Sequence, residues 1–383
     1  MIQPSNRLHT LSSSVFSDMA LKKREKMEAG HEMIDLSIGS PDLPPPKWVR
    51  EKMAEQVLHP DAYRYTLSGT REFHQAVSHF YHSRYHTDIK EEEVLQLMGS
   101  QDGLAHVALA YLDPGDYIIV PDPGYPIYGA LAELSGASLY TVPVTEEQDF
   151  MPDLYTIPRE VLSRAKLLIL NYPGNPTAAL ASKAYLEEAV QFALKHNLLL
   201  LHDFAYSELV FDGHEPLSIF SVPDAKKTAI EFNSLSKSFN LAGARIGYCV
   251  GFPSFLKPLA SIKSHIDYGV FQPIQHAATH ALLHGGDFLE SHCKTYENRR
   301  NTFVQTLHKF GWNVRYPDGA MFVWAKVPER YDSMSFALAA LDEGVVVTPG
   351  EAFGKEGEAY VRIALVQEEE QLIKAATRLK ALI

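Results

Sequence analysis

Asn233-Ser-Leu-Ser-Lys237-Ser-Phe-Asn-Leu-Ala-Gly243-Ala-Arg245-Ile-Gly247 lies between two apolar, strand-like runs, Thr228 to Phe232 before it and Ile246 to Val250 overlapping its end. It holds a lone lysine, three serines, a glycine turn and an arginine. A surface turn can carry the same residues. Between buried strands, however, a charged side chain needs either a partner or a task.

Outward from this stretch the chain repeats one pattern. Apolar strand candidates occur at Val94–Met98, Tyr117–Val120, Leu167–Leu170, Leu198–Leu201, Thr228–Phe232 and Ile246–Val250. Helical spacing fills most of the gaps, as at Leu104, Val107, Ala108, Tyr111 and Leu112, and again over Tyr185 to His196. Strands without polar alternation, separated by helices, imply an α/β fold with a mostly parallel sheet covered on both faces. Upstream, residues 11–30 read as a helix ending at Gly30 and Ile34–Ile38 as a short strand; the Pro-rich run Gly39 to Pro46 reads as a link between two bodies. After about residue 275 helices dominate near Ile274–His284 and Phe288–Phe310. Strands are then expected at Trp312–Tyr316, Ala320–Lys326, Val345–Val347 and Tyr360–Leu365, with a closing helix from about Glu368. The expected division is a segment 1–45 contributing to a smaller α+β unit, a large body 46–273, and the rest of the smaller unit in 274–383.

Composition narrows the function. The 383 residues are 46% hydrophobic and 21% charged, enough for a sizeable core. A formal net charge of −12 argues against general binding to nucleic acid or an anionic membrane, though not against a local phosphate pocket. Cys249 and Cys293 are too few for a disulfide framework, which favours a reducing, cytoplasmic setting. The polar start lacks a leader-like apolar region, and no run reaches spanning length. His74, His79, His82 and His86 crowd one helical stretch without a completing carboxylate or cysteine; they read as a solvated face, so no metal is expected.

In open α/β sheets ligands bind beyond the carboxyl ends of the strands. Here five such ends carry reactive residues: Gly99-Ser100-Gln101-Asp102-Gly103, Pro121-Asp-Pro-Gly-Tyr125, Asn171-Tyr-Pro-Gly-Asn175-Pro-Thr177, His202-Asp203-Phe-Ala-Tyr206 and the lysine stretch. The first joins a strand to a helix start, where free N–H groups and the helix dipole favour an anion. Arg245, Ser234 and Ser236 offer further donors to a phosphate. Asp203, in apolar surroundings, calls for a cation, and a protonated ring nitrogen would serve. Tyr206 and Asn175 could bond the same ring, and Tyr125 could stack on it. Taken singly, Asp203 as a helix cap, Asn175-Pro176 as a turn and the tyrosines as core packing are equally good readings.

Together these residues resemble the pyridoxal-phosphate site of the class I/II aminotransferases. Lys237 with Arg245 eight residues on, Asn175-Pro-Thr177, Asp203-x-x-Tyr206 and Tyr360-Val-Arg362 occur in that family's order. The resemblance implies the aspartate-aminotransferase fold (fold type I), with a mostly parallel seven-stranded sheet in the large domain, pyridoxal 5'-phosphate as cofactor, and a homodimer with shared active sites. It implies that Lys237 holds the cofactor covalently and moves the proton, and that Asp203 pairs with the pyridine N–H. Tyr206 and Asn175 then bond the phenolic oxygen, and Tyr125 stacks on the ring. Ser100, Gln101, Ser234, Ser236 and Arg245 hold the phosphate, with Tyr65 or Tyr63 reaching the partner subunit's phosphate. Arg362 binds the substrate α-carboxylate, with Gly39 lining that pocket.

Ala178 stands where the family usually has glycine, and Tyr65 precedes Gly69 by four residues, one fewer than usual. No clear second arginine marks a distal carboxylate; Arg24 and Arg64 remain open for it. The runs Gly99 to His106 and Asp122 to Tyr128 are most similar to the LL-diaminopimelate aminotransferase subgroup, which implies Phe16, Tyr128 and Gln272 near the substrate side chain. The resulting expectation is an enzyme moving an amino group between an α-amino acid and a 2-oxo acid. A C–S β-lyase on the same fold is the first rival. A non-catalytic cofactor-binding regulator is the second, disfavoured by the lack of a basic N-terminal extension.

Overall fold

The computed structural model describes residues 2, 3, 5, 7 and 15–383, without the side chain of Phe16. The strands of the first half are β1 (Ile34–Asp35), β2 (Val94–Leu97), β3 (Tyr117–Asp122), β4 (Ser138–Pro143), β5 (Ala165–Asn171), β6 (Leu199–Asp203), β7 (Ala229–Ser234) and β8 (Gly247–Gly251). All but β1 form one sheet in the order β2-β8-β7-β6-β5-β3-β4. β4, β3, β5, β6 and β7 pair in parallel, while β8 runs antiparallel to both β7 and β2. The continuous apolar runs of β5 and β6 are buried on both faces, because successive side chains point to opposite sides. Leu168, Leu170 and Leu200 enter one core, with Leu186, Ala189 and Val190 of the helix Lys183–His196. Leu167, Ile169, Leu201 and Phe232 enter the other, with Leu104, Val107 and Ala108 of the helix Ser100–Tyr111.

Sequence periodicity misses β4 for a simple reason: it is an edge strand with four of its six residues exposed, so it carries no apolar run. Farther along the chain, from about Tyr296 on, a second core forms. β9 (Phe322–Lys326), β11 (Thr348–Pro349) and β12 (Tyr360–Ala364) form an antiparallel sheet ordered β11-β12-β9. β10 (Val345–Val346) pairs in parallel with β1, which draws Ile34 and Leu36 into the same core as Phe336, Ile363 and Leu372. Trp312–Tyr316, expected as a strand, is irregular. Trp312 N–H instead closes the preceding helix on the Leu307 carbonyl, and its indole N–H donates to Lys326 O at 2.7 Å. The expected first helix spans Val15–Glu28; its proposed residues 11–14 lie outside the described residues.

Two contacts tie these bodies across the proline-rich link. Arg299, from the long helix Gly286–Lys309, grips Asp42 with both terminal nitrogens at 2.8 and 2.9 Å. On the same helix His292 donates from Nε2 to the Lys237 carbonyl at 3.0 Å. The helix Gln272–His284 packs on the large core through Ala277, Ala278 and Ala281, so the change of body falls within the following helix, where Leu289 belongs to one core and Tyr296 to the other. Among the described residues no helix is long and apolar enough to cross a membrane.

Phe232 is fully buried under β6 and the helix Ser100–Tyr111. Phe232→Ala should lower stability by about 3–5 kcal/mol in urea titrations. Leu139→Ala, on the exposed edge strand, should change it by less than about 0.5 kcal/mol.

Candidate active site

The parallel strands deliver their carboxyl ends to one rim, and β8 departs from that rim just after Arg245. There a cavity of about 710 Å³ opens. It is lined by Gly39, Ser100, Gln101, Tyr125, Asn175, Asp203, Tyr206, Ser234, Ser236, Lys237, Arg245 and Arg362, twelve of the residues singled out from sequence. Most come from strand ends and the loops or helix starts that follow them, Gly39 from the proline-rich link and Arg362 from the middle of β12, so residues far apart along the chain meet in one pocket.

At the floor, Asp203 ends β6 with little exposure. One carboxylate oxygen accepts the Tyr128 hydroxyl at 2.9 Å, and the other lies 3.4 Å from Ala205 N–H. Burial pushes this carboxyl up against those two hydrogen bonds, so its charge is only partly satisfied by neutral donors. The Asn171 amide, one strand over in register with Asp203, holds the Asp203 carbonyl at 2.8 Å and takes Asn175 N–H on its Oδ1.

Lys237 sits in the one-turn helix Leu235–Ser238 that follows β7, capped by Ser234. Its Nζ donates to the Gly39 carbonyl and lies 5.6 Å from the centre of the Tyr206 ring. Burial, then the Arg362 and Arg245 guanidiniums, disfavour the ammonium and bring its pKa down to about 8, with Asp203 opposing. At one end of the pocket Gly99 has φ +93°, and a Cβ there would come within 2.6 Å of Arg245 Nη2. Arg245 itself adopts φ 55° and donates to Ala242 and Met98 carbonyls at 3.0 and 3.2 Å. Asp102 accepts Met98 N–H at 3.0 Å and so fixes the same loop.

At the other end, Arg362 of β12 is buried and reaches from the second body to the first. Nη1 donates to Asn175 Oδ1 at 2.9 Å and Nη2 to Ser37 O at 2.7 Å. Its plane lies against Phe322 and Phe353, 4.4 and 4.7 Å from the ring centres. Burial lowers its pKa to about 10, and its Nε has no partner. Because Arg362 claims Oδ1, the Asn175 amide keeps its N–H₂ to donate into the pocket.

Several residues expected at the site lie elsewhere or outside description. Tyr128 does not line the cavity; it is fully buried beneath Asp203, as a hydroxyl donor to the carboxylate rather than a wall for substrate. Tyr65, 82% exposed, meets Tyr268, and Tyr63 packs on Phe271; none of these four lines the cavity. Gln272 meets only the Arg64 carbonyl, at 3.5 Å. The Phe16 side chain lies outside the described residues. Arg24 and Arg64 face outward, beside Glu28 at 3.7 Å and Asp61 at 2.7 Å. Sequence reasoning missed Asn171, whose only signal is its place at a strand end, and Lys23, a cavity residue from the first helix. His82 pairs with Asp88 at the surface, and His86 ends its helix in a left-handed turn. Asp102, His106 and Asp267 gather ligand atoms within 4.8 Å, but Lys263 Nζ lies 2.8 Å from Asp267 and 3.5 Å from Asp102, supplying the cation those carboxylates need.

The donor set fits pyridoxal phosphate. A glycine-floored cradle beside Arg245 suits a phosphate, a buried carboxylate under-satisfied by neutral donors suits a pyridinium, and a near-neutral lysine lines the same pocket. The sequence matches the family Aminotransferase class I and II over residues 31–379. It is 41% identical to the LL-diaminopimelate aminotransferase of Dehalococcoides mccartyi over 98% of this chain and 97% of that one. The substrate-bound BacF structure from Bacillus subtilis superposes with a TM-score of 0.96 at 36% identity, covering 100% and 98% of the two chains. A single mutant of Thermus thermophilus aspartate aminotransferase does so with a TM-score of 0.93 at 27% identity, covering 100% of each.

In the cofactor-free protein, labelling of Lys237 by an amine-reactive reagent should rise with pH around an inflection near 8, since the neutral amine is the nucleophile; an inflection above about 10 would contradict the burial described. Gly99→Ala, by displacing the Arg245 guanidinium, should weaken cofactor retention about tenfold or more, read by absorbance titration of the apoprotein.

Proposed function

The chain belongs to the class I and II aminotransferase family and is a pyridoxal-phosphate-dependent transaminase with the aspartate-aminotransferase-like fold; we propose that its amino donor is LL-diaminopimelate or a closely similar α-amino dicarboxylate. The observation that carries the donor is full-length identity of 41% with a named LL-diaminopimelate aminotransferase. The Arg362 anchor, shared by Asn175 and Ser37 on one wall of the pocket, agrees with an α-amino acid of any side chain.

When bound, the cofactor supplies the electron sink that accepts the electrons of the substrate Cα–H bond. The remaining work falls to this chain's side chains. Asp203 holds a proton on the ring nitrogen, and Tyr128 fixes the carboxylate for it. Arg245 with Ser100, Gln101, Ser234 and Ser236 fixes the phosphate end; Tyr125, whose hydroxyl is 3.4 Å from Gln101 Oε1, flanks the ring. Tyr206 and the Asn175 amide, both lining the cavity, would donate to the cofactor's phenolic oxygen. Arg362, beside Gly39, would bind the substrate α-carboxylate and so fix the orientation of the α-C–H bond. Lys237 Nζ, its pKa lowered to about 8, would be the base that takes the substrate's α-proton.

We also infer a homodimer in the cytoplasm. Leu58, Tyr63, Tyr65, Tyr268 and Phe271 form a neighbouring set of exposed apolar side chains, with Tyr65 and Leu58 each 82% exposed. Such a surface is more apolar than a solvated face needs, and a second copy covering it brings Tyr65 or Tyr63 toward the partner's phosphate. In this reading residues 46–273 carry the cofactor and 1–45 with 274–383 form the smaller unit; Ile34 and Leu36 sharing a core with Ile363 support the first part, while the packing of Gln272–His284 favours a junction inside Gly286–Lys309.

A donor screen with 2-oxoglutarate should show LL-diaminopimelate turned over faster than alanine, aspartate or phenylalanine; release of pyruvate and ammonia from cystathionine without a 2-oxo acid would favour elimination instead. Arg362→Ala should raise KM for every donor by about tenfold or more, and an unchanged KM removes the anchor. Light scattering should give twice the 42.9 kDa chain mass.

A further inference from the structure

Among the described residues lining the cavity, four are basic: Lys23, Lys237, Arg245 and Arg362. Three have tasks above. Lys23 has none, and no arginine takes its place, because Arg24 and Arg64 face outward. Lys23 projects from the helix Val15–Glu28, one turn after the buried Met19, which lines the same wall with Ala20.

Its position is fixed. Nζ lies 2.7 Å from Asp35 Oδ2, with about a quarter of the lysine side chain exposed. The second Asp35 oxygen accepts Ser37 N–H at 2.9 Å and Ser37 Oγ–H at 2.6 Å. The Ser37 carbonyl in turn receives Arg362 Nη2 at 2.7 Å. A continuous chain of contacts, Lys23 to Asp35 to Ser37 to Arg362, therefore sets one cation at a constant offset from the α-carboxylate anchor. Asp35 feels burial first, which raises it, yet the Lys23 and Ser37 hydrogen bonds outweigh that and keep it below the usual carboxylate range. The same cavity is also lined by the apolar Ile38, Ile127, Ala130 and Val347.

We propose that Lys23 is a specificity-determining residue that binds a carboxylate at the far end of an α-amino acid held by Arg362, with a methylene chain lying along the apolar lining of the cavity. This deepens the donor reading and rests on its assignment of Arg362 to the α-carboxylate. The Lys23–Asp35 pair is partly exposed, so turning one ammonium N–H from water toward a substrate carboxylate costs little, while Asp35 keeps the amine oriented. Without an acid at the far end, a donor places only methyl groups beside Lys23 and gains no ion pair there.

The test compares kcat/KM for L-2-aminopimelate and L-2-aminoheptanoate, which have equal chain lengths and differ at the distal carboxylate, in the wild-type holoenzyme and in Lys23→Met and Lys23→Arg. The wild type should favour 2-aminopimelate. Lys23→Met should reduce that preference about tenfold or more, and Lys23→Arg should retain most of it. A general loss of folding or cofactor slows both donors alike and leaves the ratio in place, which counts against the proposal, as does a wild-type ratio near one. Should Lys23→Met yield no active protein, Lys23→Gln and the wild-type ratio decide. Failure of the donor reading looks different: LL-diaminopimelate is not turned over, while the 2-aminopimelate preference still depends on Lys23.

Discussion

The molecule depends on a carboxylate buried at the floor of its cavity. Asp203 ends a central strand with only hydroxyl and amide N–H donors against it, and burial disfavours its charge. Neutral hydrogen bonds hold such a group in place without repaying the loss of its hydration. A protonated heteroaromatic nitrogen is the partner of the right shape and charge. The large sheet serves this requirement, because only the centre of a sheet covered on both faces can bury Asp203 while leaving its oxygens at the strand end.

Three other elements bring positive charge into the same cavity. Lys237 follows β7, Arg245 precedes β8, and Arg362 arrives on β12 from the second body. Burial and the two guanidiniums act together on Lys237, bringing its pKa down to about 8, so the amine gives up its proton far more readily than an ordinary lysine. Arg362 does double duty: its hydrogen bonds to Asn175 and Ser37 lock the bodies together at the substrate pocket, and the phenylalanine rings on it exclude water from that contact. Arg299 and His292, on the helix that spans both cores, secure the same junction from behind by holding Asp42 and the Lys237 carbonyl.

The central fold and most of the pocket were legible because both depend on local signals that tertiary structure reinforces. Leu167–Leu170 of β5 and Leu199–Leu201 of β6 are apolar because they are buried on both faces, and the polar residues that follow them stand out against that background. β4 was illegible because an edge strand needs no apolar run, and Trp312–Tyr316 misled because its large side chains pack without its backbone joining a ladder. Tyr128 was read as a substrate wall; a rotation about the helix axis decides between facing the cavity and supporting Asp203, and sequence does not set that rotation. Tyr65 and Gln272 belong to a surface that a single chain leaves open. Lys23 was passed over because its meaning depends on Asp35, Ser37 and Arg362, whose proximity only the folded chain creates.

The most direct measurement is peptide mapping by mass spectrometry after borohydride reduction of the holoenzyme, in the wild type and in Asp203→Asn. The account predicts a pyridoxyl group on Lys237 alone in the wild type, and a retained attachment but a lost half-reaction with amino donors in the variant. Attachment at another lysine, or an Asp203→Asn protein that still transaminates at the wild-type rate, would contradict it.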